Sequence, residues 1–286
     1  MKELPSKLKN KFEVNLDDTI NSGQVFLWKK INSKWYGING KNILTLKEKP
    51  DIKNKKQYDF FRFDDDFQEI KRKLSKDVVL RKAIERFPGM RILRQDPFQC
   101  YISFIVSSNS NIPNIQTRLQ KLCMAFGEKR IKNGQEFFLF PEPERLANLS
   151  ISDIAKCGLG YRSKYVKKAA IAVNDGTIDF RKLKKQRYYD ARDSLCQVFG
   201  IGKKVADCIL LFSLDKLEAV PLDRWELRIL QKYYSDKFEI KTKSITEKTY
   251  DELHEKIIGY FGEYAGYAQQ FLFKNERESS DKKWLG

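Results

Sequence analysis

The chain has 286 residues, 41% of them hydrophobic, which fits one large domain or two to three modest ones with a buried core. Lysine and arginine number 55 against 38 acidic residues, giving a formal net charge of +17. Such a charge attracts polyanions, so nucleic acid is the partner to expect, with a lysine-rich soluble protein as the other interpretation. No apolar stretch approaches the roughly 18 residues of a membrane span, and the first residues lack the apolar segment of a secretory signal.

The supply of cysteine and histidine limits the possible chemistry. The cysteines are widely spaced and form no C-x-x-C pair, which disfavours a zinc or iron–sulfur site. An odd number at such spacings fits reduced, mostly buried thiols in a cytosolic protein. His254 is the only histidine, which disfavours His-ligated metals and nucleophiles paired with histidine. We therefore expect lysine and carboxylate chemistry without a metal or organic cofactor. The cysteines are Cys100, Cys123, Cys157, Cys196 and Cys208.

The N-terminal part has the pattern of an antiparallel sheet. Aromatic and β-branched residues at 26–31 and 34–38 flank the turn Asn32-Ser33. Asn39-Gly40 then precedes a third run at 42–46. Short runs of this composition, bounded by Asn, Gly and Ser, predict strands joined by hairpin turns.

From about residue 66 onward, apolar residues recur at helical spacing, and the remainder is predicted to be almost entirely helical. Polar residues at 234–248 predict a loop or insertion, and the tail after Glu276 is predicted to fray. The first apolar stripe consists of Phe67, Ile70, Leu74, Val78 and Ile84. Helix starts and stops are predicted at Asp96-Pro97, Pro113, Gly127, Pro141-Glu-Pro-Glu, Gly158 and Gly160, the last of these before a basic helix at 162–173.

The most informative segment lies near residue 200. A helical run at 188–198 is followed by Gly200-Ile201-Gly202, after which Val205, Ile209 and Phe212 fall on one helical face. This pattern predicts a helix–hairpin–helix. The glycines allow close backbone approach, and the start of the second helix presents N–H groups to an anion such as a DNA phosphate. An ordinary helical hairpin is the alternative.

Lysine and aspartate residues in and after this hairpin are candidates for catalytic chemistry. Lys203 and Lys204 begin the second helix, where the helix dipole disfavours a charged amine, and a neutral amine can form a Schiff base. Solvated, phosphate-binding lysines are the plainer interpretation. Asp223 follows Pro221 and is predicted to cap a helix over 224–233. A capping carboxylate can also stabilise positive charge on a sugar as a glycosidic bond breaks.

The hairpin segment and the segment that ends at Asp223 resemble those of a known protein family. Gly200-Ile-Gly-Lys-Lys-Val-Ala-Asp-Cys followed by Val220-Pro-Leu-Asp resembles the helix–hairpin–helix (HhH-GPD) DNA glycosylases, and most closely the 8-oxoguanine DNA glycosylase/AP lyase branch. Further segments match in the same order between residues 22 and 273. They are Ser22-Gly-Gln-Val-Phe-Leu-Trp, Gln95-Asp-Pro-Phe, Phe104-Ile-Val-Ser-Ser-Asn-Ser-Asn-Ile, Leu159-Gly-Tyr-Arg-Ser-Lys-Tyr-Val and Ala265-Gly-Tyr-Ala-Gln-Gln-Phe-Leu-Phe.

The resemblance implies an α+β fold. An N-terminal antiparallel β-sheet domain with a packed helix is expected over 1–87. A mainly α-helical glycosylase domain with the helix–hairpin–helix motif is expected over 88–286, as two helical lobes with the active site between them. In this family pattern Lys204 is the Schiff-base nucleophile and Asp223 its acid partner, so excision of 8-oxoguanine and AP lyase cleavage are implied.

The resemblance also implies a base pocket. Gly23 corresponds to the residue whose backbone carbonyl reads the proton on N7 of the oxidised guanine. Gln269 corresponds to the reader of the Watson–Crick edge, and Phe273 and Cys208 to the two sides that sandwich the base. Without the resemblance, each of these residues would be interpreted as an ordinary core or surface residue.

DNA contacts are implied as well. Asn109 and Tyr161 correspond to the residues that fill and wedge the vacated stack, and Arg162 to a contact with the estranged cytosine. A monomer acting on double-stranded DNA is expected, without a membrane partner, in an archaeal or bacterial cytoplasm, or in a nucleus if the host is eukaryotic. The backbone N–H groups implied for phosphate binding belong to Gly200, Gly202 and Val205.

The chain departs from the family pattern at three places. Phe199 replaces the proline that usually precedes the first hairpin glycine. Arg224-Trp225 replaces the Val-His that often follows the catalytic aspartate, which changes a phosphate-side or sugar-side contact. Asn114 stands where a cytosine-reading arginine is often found, so the opposite-base preference stays open. The alternatives are a glycosylase for a different lesion, a non-catalytic helix–hairpin–helix DNA-binding protein, and an RNA-binding basic protein.

Overall fold

The computed structural model describes residues 12–238, 240 and 246–279. The chain divides into two compact units, each assembled from discontinuous segments. The domain boundary expected between residues 87 and 88 stays a prediction. No helix within the described ranges is long and apolar enough to cross a membrane. The first unit contains Met1–Gln24, Glu48–Arg94 and Leu217–Gly286, and the second contains Val25–Lys47 and Gln95–Lys216.

Helices dominate both units. In chain order they are α1 (Leu16–Ile20), α2 (Lys55–Phe60), α3 (Phe67–Leu74), α4 (Val78–Arg86), α5 (Pro97–Ser107), α6 (Ile112–Phe126), α7 (Pro143–Asn148), α8 (Ile151–Ile154), α9 (Arg162–Asn174), α10 (Phe180–Lys185), α11 (Tyr188–Cys196), α12 (Lys203–Ser213), α13 (Arg224–Tyr233), α14 (Ser235–Phe238), α15 (Glu247–Phe261) and α16 (Ala265–Ser279). A π-helical turn at Ala155–Leu159 and a 3₁₀ turn at Gly262–Tyr264 precede α9 and α16.

The predicted N-terminal sheet is confirmed and belongs to the second unit. Strands β1 (Trp28–Ile31), β2 (Lys34–Asn39) and β3 (Asn42–Leu46) form an antiparallel meander in that order. The first turn has left-handed backbone at Asn32 (φ 46°) and Ser33 (φ 62°), as a type I′ hairpin requires. The meander and the helices that follow give the predicted α+β class.

The prediction that the rest of the chain is almost entirely helical is wrong at one hairpin. Strands β4 (Lys129–Lys132) and β5 (Gln135–Phe138) pair antiparallel in the second unit. Their turn is Asn133-Gly134, with φ of 51° and 73°, a strong hairpin signal that the helical interpretation overlooked. The Phe137 ring stacks on Tyr36 at 5.3 Å between centroids, so the hairpin covers part of the meander.

The predicted helix boundaries agree closely with the structure. Asp96 caps α5 by accepting the Gln99 N–H at 2.9 Å, with Pro97 in the first turn. Helix α6 ends at Gly127, as predicted. One detail differs, because Val78 begins a separate helix capped by Asp77 and is exposed rather than buried in the stripe.

The predicted polar segment 234–248 is described only in part. Ser235–Phe238 forms α14 and α15 begins at Glu247. Residues 239 and 241–245 lie outside the described residues, as does the tail from 280. Helix α16 continues past Glu276 to Ser279, so the predicted fraying does not begin there.

The helix–hairpin–helix is formed by α11 and α12 in the second unit. A buried polar contact joins the two helices, because the Tyr188 hydroxyl donates to the Asp207 carboxylate at 2.6 Å. Arg192 donates to the Tyr188 oxygen at 3.3 Å and is itself buried. A buried carboxylate requires such partners, so this contact fixes one helix against the other.

Candidate active site

Lys204 lies in the first turn of α12, as predicted. The N-cap of this helix is Gly202, and no side chain caps the helix. The Lys204 side chain is half-buried, and its Nζ lies 5.9 Å from the centroid of the buried Phe104 ring. Cys208 follows one turn later and is buried. The positive helix end repels a charged ammonium group, whereas the face of the Phe104 ring attracts one.

The two glycines of the hairpin between α11 and α12 differ in backbone conformation and in the space around them. Gly200 has φ +93°, and a Cβ there would lie 2.4 Å from Cγ of Tyr165. Gly202 has ordinary backbone angles and open space where a Cβ would be. Phe199 is 56% exposed at the hairpin tip, with the Lys168 ammonium 4.4 Å from its ring centroid. The tip therefore presents backbone, an aromatic ring and positive charge to the solvent.

Three residues assigned to the duplex by the resemblance cluster in the second unit. Asn109 has left-handed backbone (φ 48°) and an exposed side chain, and Tyr161 is 50% exposed. Arg162 is only 6% exposed, because its guanidinium donates to the carbonyls of Ser108 (2.9 Å, from Nε) and Asn109 (3.0 Å). Its plane also lies 4.4 Å from the Tyr161 ring centroid. In this structure Arg162 supports the Asn109 turn rather than facing solvent.

Asp223 is one of the predicted site residues that belong to the first unit. It is the N-cap of α13, and its Oδ1 accepts the N–H groups of Trp225 at 2.8 Å and Glu226 at 3.1 Å. The predicted cap and helix are therefore confirmed. These two bonds hold the carboxylate in one rotamer.

Helix α16 carries two residues of the predicted pocket. Gln269 is buried, and its side-chain oxygen Oε1 has no hydrogen-bond partner within the described part of the chain. Phe273 is half-buried, and Trp225 meets its ring edge-on at 6.3 Å between centroids. Trp225, one of the departures from the family pattern, therefore supports the predicted base-stacking ring. Arg277 also lies 5.6 Å from that ring centroid.

The Gly23 turn is held rigidly within the first unit. Gly23 itself has φ +91°, in the left-handed region that favours glycine. Gln270 donates to the Ser22 carbonyl at 2.9 Å. On the other side Gln24 is buried, and its side chain binds the Ser22 hydroxyl at 2.8 Å and the Leu93 N–H at 2.7 Å. The carbonyl expected to read the base thus sits in a fixed segment joined to α16.

The sequence interpretation missed several supporting residues. His254 and Tyr250 from α15 bind the backbone just before Asp223, at Val220 and Leu222. Glu226 was also missed, although the spacing Asp223-x-x-Glu226 is that of an N-cap and its third residue and pointed to it. For His254 and Tyr250 no local signal exists, because their contacts span 28 to 34 residues of sequence.

Family comparisons agree with this arrangement. A family model described as the N-terminal domain of 8-oxoguanine DNA glycosylase matches residues 7–101. A second model, of the HhH-GPD superfamily of base excision DNA repair proteins, matches residues 102–256. The two matches together run through both the meander and the helix–hairpin–helix.

Similarity to two N-glycosylase/DNA lyases establishes the family to which this chain belongs. The N-glycosylase/DNA lyase OGG1 of Arabidopsis thaliana is 32% identical, over 91% of this chain and 77% of its own length. The chain belongs to the 8-oxoguanine DNA glycosylase branch of the HhH-GPD superfamily. A glycosylase/lyase of Methanothermobacter thermautotrophicus, named as probable, is 30% identical over 71% of this chain and 68% of its own length.

Solved structures of other members of this family share the fold. MBOgg1, solved with a low-affinity DNA ligand, has a TM-score of 0.84 at 34% identity, covering 93% of this chain and 92% of its own. The 8-oxoguanine glycosylase/lyase of Clostridium acetobutylicum, solved with duplex DNA carrying cytosine opposite 8-oxoguanine, has a TM-score of 0.83 at 29% identity, with the same two coverages.

Proposed function

We propose that this protein excises 8-oxoguanine from duplex DNA and then nicks the strand, through Lys204 and Asp223. The observation that carries the proposal is the local structure of these two residues. In addition, this chain is 32% identical to an N-glycosylase/DNA lyase over 91% of its own residues. Lys204 lies in the first turn of a helix that no side chain caps, and Asp223 caps the next long helix. The proposal needs no metal or organic cofactor.

The chemistry follows from an amine and a carboxylate acting on one sugar. The neutral Lys204 amine attacks C1′, the C1′–N9 bond breaks, and its electron pair leaves with the base, which takes up a proton. The Asp223 carboxylate stabilises the positive charge that develops on the sugar. Opening of the sugar ring gives an iminium (Schiff base) between Nζ and C1′. Loss of a C2′ proton then breaks the C3′–O3′ bond, and the 3′ phosphate leaves.

Base selection is assigned to four residues. Gly23 presents its carbonyl to the N7 proton of 8-oxoguanine, and Gln269 reads the Watson–Crick edge. Phe273 and Cys208 contact the two faces of the base. The rigid hydrogen bonds around Gly23 support this role, because a fixed polar group that unmodified guanine leaves unpaired discriminates strongly between near-isosteres.

DNA handling is assigned to residues of the second unit. The net charge of +17 supports salt-dependent capture of the phosphate backbone. Asn109 and Tyr161 fill the space left by the extruded nucleotide, whose unstacking costs a few kcal/mol. Arg162 is assigned to a contact with the estranged cytosine. The phosphate contacts are assigned to the backbone of Gly200, Gly202 and Val205.

The proposed partner is double-stranded DNA containing oxidised guanine, bound by a monomer. The proposed location is the cytoplasm of a bacterial or archaeal cell, or the nucleus of a eukaryotic one. A DNA repair enzyme must reach the chromosome, and these are the compartments where the chromosome lies.

The test is base release and strand nicking on matched duplexes that carry 8-oxoguanine or guanine opposite cytosine. Wild type is expected to release only the oxidised base and to nick that strand. Asp223→Asn is expected to lose both activities, whereas Asp236→Asn, at an exposed position of α14, is expected to keep them. Release from neither duplex, or equal release from both, would overturn the lesion assignment. Duplex binding without release of any lesion would favour the non-catalytic alternative.

A further inference from the structure

The tip of the helix–hairpin–helix carries an exposed aromatic side chain. Phe199 immediately precedes Gly200 and is 56% exposed. Its ring meets the Tyr165 ring of α9 in an edge-on arrangement, at 5.3 Å between centroids. Tyr165 meets Tyr161 in the same way, at 5.7 Å. These three rings form an aromatic row that runs from the hairpin tip to the start of α9, within the second unit.

Both ends of the aromatic row face the solvent. Tyr161, the proposed wedge, is 50% exposed, and Tyr165 between the two ends is half-buried. Exposed apolar side chains that stand alone are common on protein surfaces, whereas contiguous ones mark interaction sites. The aromatic row therefore has the character of a binding surface, and it is continuous with the surface that carries the wedge.

The hairpin tip is fixed against α9. Gly200 packs so closely on Tyr165 that a Cβ at this position would lie 2.4 Å from the Tyr165 Cγ atom. The tip cannot leave α9 without losing this packing and the contact of the Phe199 ring as well. A surface that is already ordered loses little freedom when a partner binds. Phe199 is thus held beside the backbone N–H groups of Gly200 and Gly202, to which a DNA phosphate is assigned.

The charge around the aromatic row identifies the kind of partner. The Lys168 ammonium lies 4.4 Å from the centroid of the Phe199 ring. Lys164 and Lys168 are both exposed, and the sequence of α9 contains no acidic residue. Like charges four residues apart on a helix repel each other, and an anionic partner relieves that repulsion. Aromatic rings among cations suit nucleic acid, whereas a second copy of this chain, with the same net charge of +17, would bring like charges together.

We propose that the Phe199 ring packs on a deoxyribose of the strand whose phosphate the hairpin binds, and that the Lys168 ammonium pairs with the neighbouring phosphate. A DNA strand alternates phosphate and sugar, and the tip offers N–H groups, an apolar ring and a cation side by side. This inference rests on the DNA binding in the proposed function. Contacts to sugar and phosphate carry no sequence information, so the two side chains strengthen capture of any duplex.

The two proposed contacts differ in their dependence on salt. Pairing of Lys168 with a phosphate releases counterions, so it adds roughly 0.9 to the slope of log Kd against log salt concentration. Packing of the Phe199 ring on a sugar releases no counterions, because neither surface is charged. Its contribution to the affinity is therefore expected to be the same at every salt concentration.

The test is the Kd for an undamaged duplex, measured by fluorescence anisotropy over a series of salt concentrations. Phe199→Ala is expected to raise the Kd at least roughly fivefold at each concentration without changing the slope. Phe199→Tyr keeps the ring and is expected to bind as wild type does. Lys168→Gln is expected to lower the slope by about one. The controls are Met124→Ala, at a 62% exposed position of α6, and Lys185→Gln, at an exposed position of α10, and both are expected to keep the wild-type Kd and slope.

The slope separates a lost contact from a damaged hairpin. A distorted hairpin would also lose its phosphate, so Phe199→Ala would then lower the slope. Such a lowered slope, a wild-type Kd in Phe199→Ala, or a wild-type slope in Lys168→Gln would overturn the inference alone. Self-association of the wild type that Phe199→Ala abolishes at an unchanged Kd would assign the aromatic row to a second copy and overturn it too. Failure of the wild type to bind duplex DNA would overturn the proposed function, and this inference with it.

Discussion

The Nε2 atom of His254 accepts the backbone N–H of Val220 at 3.3 Å, three residues before Asp223. Tyr250, one helical turn earlier on α15, accepts the Leu222 N–H at 3.2 Å and donates to the Val220 carbonyl at 3.3 Å. The single histidine thus serves as a hydrogen-bond acceptor for buried backbone. Together the two side chains fix the segment that carries the proposed catalytic carboxylate.

His254→Phe is expected to destabilise the protein by about 1–3 kcal/mol, because the buried Val220 N–H loses its acceptor. Excision is expected to slow as well, since Asp223 is less well held, while the Kd for DNA stays near the wild-type value. Urea unfolding and single-turnover excision measure the two effects. Tyr250→Phe, which removes only a hydroxyl, provides the matched comparison. Wild-type stability in both variants would contradict the bracing role.

The two hairpin glycines are expected to respond differently to alanine. At Gly200 the new Cβ would strike the Tyr165 ring at 2.4 Å on left-handed backbone, so Gly200→Ala is expected to lower the melting temperature and weaken DNA binding. Gly202→Ala meets no protein atom, so it is expected to keep the melting temperature and weaken only DNA binding. Thermal melts and fluorescence anisotropy with a duplex test the pair. A normal Kd for Gly202→Ala would refute close phosphate contact there.

The buried contact between α11 and α12 is expected to stabilise the helix–hairpin–helix. Tyr188→Phe removes the hydroxyl that donates to Asp207 at 2.6 Å and leaves a buried carboxylate short of a partner. The expected loss is about 1–3 kcal/mol of unfolding free energy. Tyr189→Phe, on the exposed neighbouring ring, is the control and is expected to change stability little. Equal stability of the two variants would show that Asp207 is satisfied by other groups.

Glu226 is expected to make stability depend on pH. Its pKa in the folded protein is raised, chiefly by burial, so its contribution is fully present below the ordinary carboxyl pKa of about 4.5. That contribution is lost by about 1.4 kcal/mol per pH unit as the pH rises from there toward the raised folded pKa. Glu226→Gln does not titrate, so its stability relative to wild type should increase over this range. Urea unfolding at several pH values measures it, and a constant difference would argue against a raised pKa.

The local pattern of the sequence predicts much of this site, since Asp223 caps a helix that begins and ends at the predicted residues. Caps and hairpins are set by residues a few positions apart, so they can be read directly from the chain. The β4–β5 hairpin was equally local in its Asn133-Gly134 turn, and it was missed because a helical interpretation was extended too far.

The supporting contacts could not be predicted in the same way. His254 meets Val220 across 34 positions of sequence, and Tyr250 meets Leu222 across 28. Such pairs depend on how α15 packs against the segment before α13, which no local spacing encodes. Arg162 shows the same limit, because the resemblance assigns it to DNA whereas its guanidinium binds the carbonyls of Ser108 and Asn109 here.

Borohydride trapping tests the central claim most directly. Wild type and Lys204→Gln are incubated with a duplex carrying 8-oxoguanine opposite cytosine, with Lys203→Gln as the matched control on the neighbouring lysine. Reduction is expected to link wild type and Lys203→Gln covalently to the DNA, and Lys204→Gln is expected to form no adduct. Base release by the wild type without any adduct, or an adduct that persists in Lys204→Gln, would contradict the assignment of Lys204 as the nucleophile.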